Sequence, residues 1–157
     1  MDEFSKRLKD LMEMEGLSNR ALSMKINVDR ASIRLWLSGR FYPRYDALIK
    51  LAAFFNVSID YLIGLENVTD NNVRKAVSME EVRKHFFLTL SRYMEEHHLT
   101  IYAMAKRIDI DQKAFTNWLT KGSMPETGMI IRLAKEMKIL WTICWDGNLR
   151  TKDKNDG

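Results

Sequence analysis

Apolar residues in the first sixty positions recur at helical rather than strand intervals. Phe4, Leu8, Leu11 and Met12 fall on one face of a first helix, which Gly16 ends. Ser18 can cap a second helix, whose stripe is Ala21, Leu22 and Ile26. Asp29 can cap a third helix, with Ile33, Trp36 and Leu37 pointing inward. Gly39 to Pro43 reads as a loop. A fourth helix is predicted from about Tyr45 to Phe55, buried through Leu48, Leu51 and Ala52. A short fifth, capped by Ser58, ends at Gly64.

The pattern then recurs. Sliding the chain by 82 positions aligns residues 4–64 with 86–146 without a gap. Fourteen of the 61 pairs are identical: Phe4/Phe86, Leu8/Leu90, Met12/Met94, Glu13/Glu95, Leu17/Leu99, Ala21/Ala103, Ile26/Ile108, Asp29/Asp111, Trp36/Trp118, Leu37/Leu119, Pro43/Pro125, Ile49/Ile131, Leu51/Leu133 and Ala52/Ala134. Most of these sit where a helix buries its side chain. Val28/Ile110, Ile33/Phe115 and Val57/Ile139 stay apolar in both copies, and Thr100 and Asp111 repeat the caps. The intervening LENVTDNNVRKAVS is polar and rich in Asn and Asp, as a linker is. The predicted organisation is all-α: a first domain over 1–64, a linker over 65–78, a second and divergent domain over 79–146, and a flexible tail over 147–157. The run ILWTICW could also pass for a strand, and Trp141 and Trp145, four apart, would share one helical face.

At this point LSNRALSMKINVDRASIRLWLSG, residues 17–39, resembles the helix-turn-helix of the Cro and phage-repressor group, the XRE family. DALIKLAAFFNVSIDYLIG, residues 46–64, resembles that family's fourth and fifth helices. The likeness covers nearly all of 4–64 and is looser over 86–146. It implies two tandem five-helix, lambda-repressor-like domains that bind double-stranded DNA, with the third helix of each in the major groove. It also implies base reading from the first, second and sixth positions of that helix. Those positions hold Arg30, Ala31 and Leu35 in the first copy, and Gln112, Lys113 and Asn117 in the second.

The residues themselves support a groove-reading surface. At 100° per residue, Ala31, Arg34, Leu35 and Ser38 lie opposite Ile33 and Trp36, with Arg30 and Ser32 near the helix start. Lys113, Thr116, Asn117 and Thr120 are the corresponding residues of the second copy. Arg and Lys can bond guanine, and Gln and Asn can bond adenine through both donor and acceptor. Residues 30–45 hold four arginines (Arg30, Arg34, Arg40, Arg44) and no acid. Residues 112–125 hold Lys113 and Lys121 and no acid. Leu35 departs from the family's usual polar residue, and three readings stay open for it: contact with a thymine methyl, harmless exposure, or a protein contact. Asn19 stands where the family usually has glutamine and can still bond a phosphate, whereas Ile101 at the matching place cannot.

Composition adds bounds. The net charge of +4 and pI near 9.2 permit a nucleic-acid partner without demanding one. A single cysteine, Cys144, excludes an internal disulfide and fits a reducing cytoplasm. The N-terminal MDEFSKRLKD lacks the apolar core of a signal peptide, and no apolar run approaches the roughly 18 residues of a membrane span. His97 and His98 are adjacent, so they diverge around a helix, and no cysteine is near them; a metal site is not expected. No phosphate-binding glycine loop, nucleophile elbow or paired-carboxylate signature is present, so neither an enzyme nor a cofactor is expected. The expectation is a cytoplasmic, sequence-specific DNA-binding transcriptional regulator, a repressor by resemblance. Its alternative is a protein-interaction or dimerisation module, antitoxin-like, in which only one domain binds DNA and the other meets a second copy or a protein partner.

Overall fold

The computed structural model describes residues 2–65, 67 and 79–138, and all regular elements among them are helices. The chain divides into two compact units, Met1–Ala76 and Val77–Gly157. The first holds α1 (Glu3–Met14), α2 (Asn19–Ile26), α3 (Arg30–Leu37), α4 (Tyr45–Phe55) and α5 (Ile59–Leu62). The second holds α6 (Met79–Glu96), α7 (Ile101–Arg107), α8 (Gln112–Lys121) and α9 (Thr127–Met137). The expected fifth helix of the second segment, with Trp141, Cys144 and Trp145, lies outside the described residues. So do most of the linker and the tail.

In the first unit, side-chain oxygens satisfy the exposed N–H groups that open four of the five helices. Asp2 accepts from the Ser5 amide at 2.8 Å, Ser18 from Ala21 at 3.1 Å, Asp29 from Ala31 at 3.1 Å and Ser58 from Tyr61 at 2.9 Å. Phe4, Leu8, Leu22, Ile33, Leu48, Leu51 and Leu62 are fully buried and form one core. Around it α3 packs on α1 and α2, α4 on α2 and α5, and α5 on α1.

A cation inside this unit ties its two ends together. Arg7 is buried, and its Nε donates to Glu3 Oε1 at 3.0 Å. Its Nη1 donates to the Tyr61 carbonyl and its Nη2 to Asn67 Oδ1 at 2.9 Å. The guanidinium also lies 4.5 Å from the centre of the Tyr61 ring. A buried charge is tolerated only when it is paired and hydrogen-bonded, and these partners meet that condition while joining α1 to α5.

The second unit follows the first in register. Shifted by 82, the bounds of α4 coincide with those of α9, and the ends of α1 and α6 coincide at Met14 and Glu96. Left-handed residues recur at the same places: Gly16 and His98, Asn27 and Asp109, Asn56 and Lys138. The core of this unit includes Leu90, Met104, Ile108, Phe115, Ile130 and Leu133. Trp118, expected to point fully inward like Trp36, is only half-buried. Phe115 fills the place that Ile33 holds in the first unit, and Trp118 meets its ring edge-on at 5.7 Å. The bulkier Phe115 takes the interior volume and leaves the indole at its margin.

Two outcomes follow for stability. Trp36 retains 7% of its surface, so Trp36→Ala should cost the first unit about 3–5 kcal/mol, whereas Trp118→Ala should cost the second unit clearly less. Urea denaturation followed by circular dichroism measures both, and equal losses would contradict the difference in burial. Gly64 has φ +84°, and an added Cβ would lie 2.6 Å from Glu3 Cγ and 2.8 Å from Glu3 Cβ. Gly16, at φ +62°, has open space around it. Gly16→Ala should cost about 1–2 kcal/mol for the left-handed backbone alone. Gly64→Ala should lower the melting temperature further, because it also displaces the carboxylate that holds Arg7.

Candidate nucleic-acid interface

The surface predicted from the sequence is built by a short α2–turn–α3 unit. Asn27 ends α2 in a left-handed conformation (φ 52°, ψ 57°), its amide donating to the Ser23 carbonyl. Two residues later Asp29 caps α3. Asparagine adopts this backbone more readily than most residues, so the turn needs no glycine. Lys50 on α4 reaches the Asn27 carbonyl at 3.5 Å, placing a cation at the negative end of α2. Burial of Ile33 and Trp36 sets the roll of α3, leaving Arg30, Ala31, Arg34 and Leu35 exposed. Ser32 is partly covered at the flank. Asn19 is partly buried at the first residue of α2.

The loop after α3 carries the other two arginines. Gly39 takes φ 72°, and Arg40, Phe41 and Arg44 face outward. Between them Pro43 is buried and Tyr42 packs against Phe4, with ring centres 6.0 Å apart. Burial, and secondarily the Asp2 carboxylate, raise the Tyr42 phenol above its ordinary pKa. Tyr42 thus anchors to α1 the loop that carries Arg40 and Arg44. Among the described residues, the guanidinium groups of Arg30, Arg34, Arg40 and Arg44 have no ion-pair or hydrogen-bond partner. Their charge is therefore available to an outside anion.

The second unit offers a different surface. Asp111 accepts from the Lys113 and Ala114 amides at 2.9 and 3.2 Å and caps α8. Gln112, Lys113 and Lys121 are exposed, while Thr116 and Asn117 are half-buried. The Thr116 hydroxyl donates to the Gln112 carbonyl at 2.8 Å, which leaves it only as an acceptor. The Asn117 side chain has no hydrogen-bond partner among the described residues. At the 82-residue shift, Arg30, Arg34, Arg40 and Arg44 correspond to Gln112, Thr116, Gly122 and Glu126. None of the four cations recurs. Arg132, which corresponds to Lys50, does recur in role, donating to the Ile108 carbonyl at the end of α7.

Sequence reasoning passed over two residues that shape these surfaces. Phe41 is 57% exposed in the middle of the arginine loop, and Tyr42 beside it is the loop's anchor. The pair FY between two arginines carries no signal of which ring turns inward.

Comparison with known proteins agrees with this geometry. Residues 8–62 match the helix-turn-helix family model. Over 66 residues the chain is 33% identical to the HTH-type transcriptional activator BcrR of Enterococcus faecalis, an alignment covering 42% of this chain and 32% of that protein. Over 67 residues it is 31% identical to the HTH-type transcriptional regulator ImmR of Bacillus subtilis, covering 43% of this chain and 53% of that protein. The chain thus spans about a third to a half of the length of these curated relatives. No solved structure gives a significant match. Residues 8–62, from within α1 to the end of α5, are the part of the chain that is similar to helix-turn-helix proteins.

Proposed function

We propose that the protein is a sequence-specific regulator of transcription that binds double-stranded DNA in the cytoplasm. The observation that carries the proposal is the exposed face of α3, with Arg30 and Arg34 on the helix and Arg40 and Arg44 in the loop after it, their guanidinium groups without internal partners. A helix fits the major groove, about 12 Å wide, and the arginines can meet the phosphates on its walls. The match of residues 8–62 and the two regulators to which this segment is similar support the same reading. The first domain inserts α3, with Asn19 on a phosphate. By the 82-residue register the second unit is a divergent tandem copy that inserts α8. Binding at an operator then represses transcription by blocking polymerase. The reading needs no catalytic step and no cofactor.

A second reading has a specific observation behind it. The second unit lacks all four arginines, has Ile101 at the place of Asn19, and exposes 60% of Tyr102 beside it. In this reading it is a protein-interaction or dimerisation module, and only the first unit binds DNA.

A pair of substitutions separates the two. Arg40→Gln should weaken binding to all duplexes alike and reduce the salt slope by about one unit. If α8 reads bases, Asn117→Ala should cost about 1–3 kcal/mol on the preferred sequence while leaving the salt slope nearly unchanged. The measurement is affinity against salt on cognate and scrambled duplexes. An unchanged cognate-to-scrambled ratio for Asn117→Ala would favour the interaction module.

A further inference from the structure

The apolar centre of the exposed face of α3 has a chemistry of its own. Leu35 keeps 46% of its surface in solvent, one of the few large apolar side chains of the first unit to do so. Ala31 is exposed one turn earlier. Four residues apart, the two lie about 40° apart around the helix and roughly opposite Ile33. They form the crown of the face, the part that would reach deepest into a groove. Neither can hydrogen-bond through its side chain.

The surroundings of this crown restrict what it can meet. Arg30 and Arg34 run along one side of it on α3, Arg40 and Arg44 follow in the loop, and no acid occurs between residues 30 and 45. An apolar protein partner would have to neutralise four like charges around a contact of one leucine and one alanine. A duplex presents the complementary arrangement, with anionic phosphates along the groove walls and, on its floor, the thymine C5-methyl as the apolar group. Cations at the border and hydrocarbon at the crown match walls and floor together.

We infer that Leu35, with Ala31 beside it, is a specificity determinant that selects thymine by packing on its C5-methyl group. The inference rests on the proposed insertion of α3 into the major groove and adds what the helix prefers there. The half-site under the first unit then contains thymine opposite Leu35, chosen by shape and apolar contact.

The test replaces thymine by deoxyuridine, which removes the methyl and leaves the hydrogen-bonding groups in place. The full chain first selects duplexes from a random library. Each thymine of the selected duplex is then replaced singly, and affinity is measured with the unaltered chain and with Leu35→Ala. One or two replacements should weaken binding about fourfold, the loss expected for one buried methyl-sized group. At the position facing Leu35, the variant should bind thymine and uracil duplexes alike, with an unchanged salt slope. Because Leu35 is exposed, the variant should also melt with the unaltered chain. Tight binding with no uracil effect anywhere overturns the inference, as does a uracil effect that Leu35→Ala fully retains. Enrichment of no duplex at all is a separate result, and it overturns the DNA-binding reading itself.

Discussion

Burial of Ile33 and Trp36 against α1 and α2 fixes the roll of α3 about its own axis. Ile33 and Trp36 are the buried side chains of this eight-residue helix. Once two large apolar residues lock one side, the opposite side must stand in solvent. That side holds Arg30, Ala31, Arg34 and Leu35. The cap at Asp29 starts the helix cleanly, and the left-handed Asn27 sets the angle at which it leaves α2. Everything proposed for α3 depends on this roll, because a rotation of about half a turn would bury the arginines and expose the tryptophan.

The rest of the first unit serves as a frame for that face. Arg7 ties α1 to α5 through Glu3, the Tyr61 carbonyl and Asn67, so the ends of the segment stay joined. Tyr42 and Pro43 hold the loop after α3 against the core, and Arg40 and Arg44 face outward from it. The second unit keeps the helix order but not the charge. Its α8 has one fully embedded aromatic, a half-buried tryptophan and no arginine. The two surfaces therefore differ in charge and in apolar character.

Much of this was legible in the sequence because its signals are local. Ser18, Asp29, Ser58, Thr100 and Asp111 each cap a helix where a short polar side chain precedes an apolar stripe. Gly16 follows α1 in the left-handed region, and α4 runs from Tyr45 to Phe55 as its apolar spacing predicts. The exposed face of α3 follows from 100° per residue and the inward positions of Ile33 and Trp36. What escaped depends on packing and hydrogen bonds that the hydrophobic pattern does not carry. Arg7 looks like a surface cation until α5 folds over it. The inward turn of Tyr42 depends on Phe4, 38 positions earlier. Trp118 matches Trp36 in the alignment, yet its exposure is set by the volume of Phe115. The Thr116 hydroxyl looks free in sequence and is committed to the carbonyl one turn back.

The central claim is that the exposed face of α3 is the surface that meets duplex DNA. Backbone amide shifts of the full chain, followed while a selected duplex is added, test it most directly. The account predicts that the largest changes cluster between Asp29 and Tyr45, with Asn19 and its neighbours at the start of α2. Amides of the core-facing part of α1 should move little. Saturable binding that leaves the α3 amides in place while another surface shifts would contradict it.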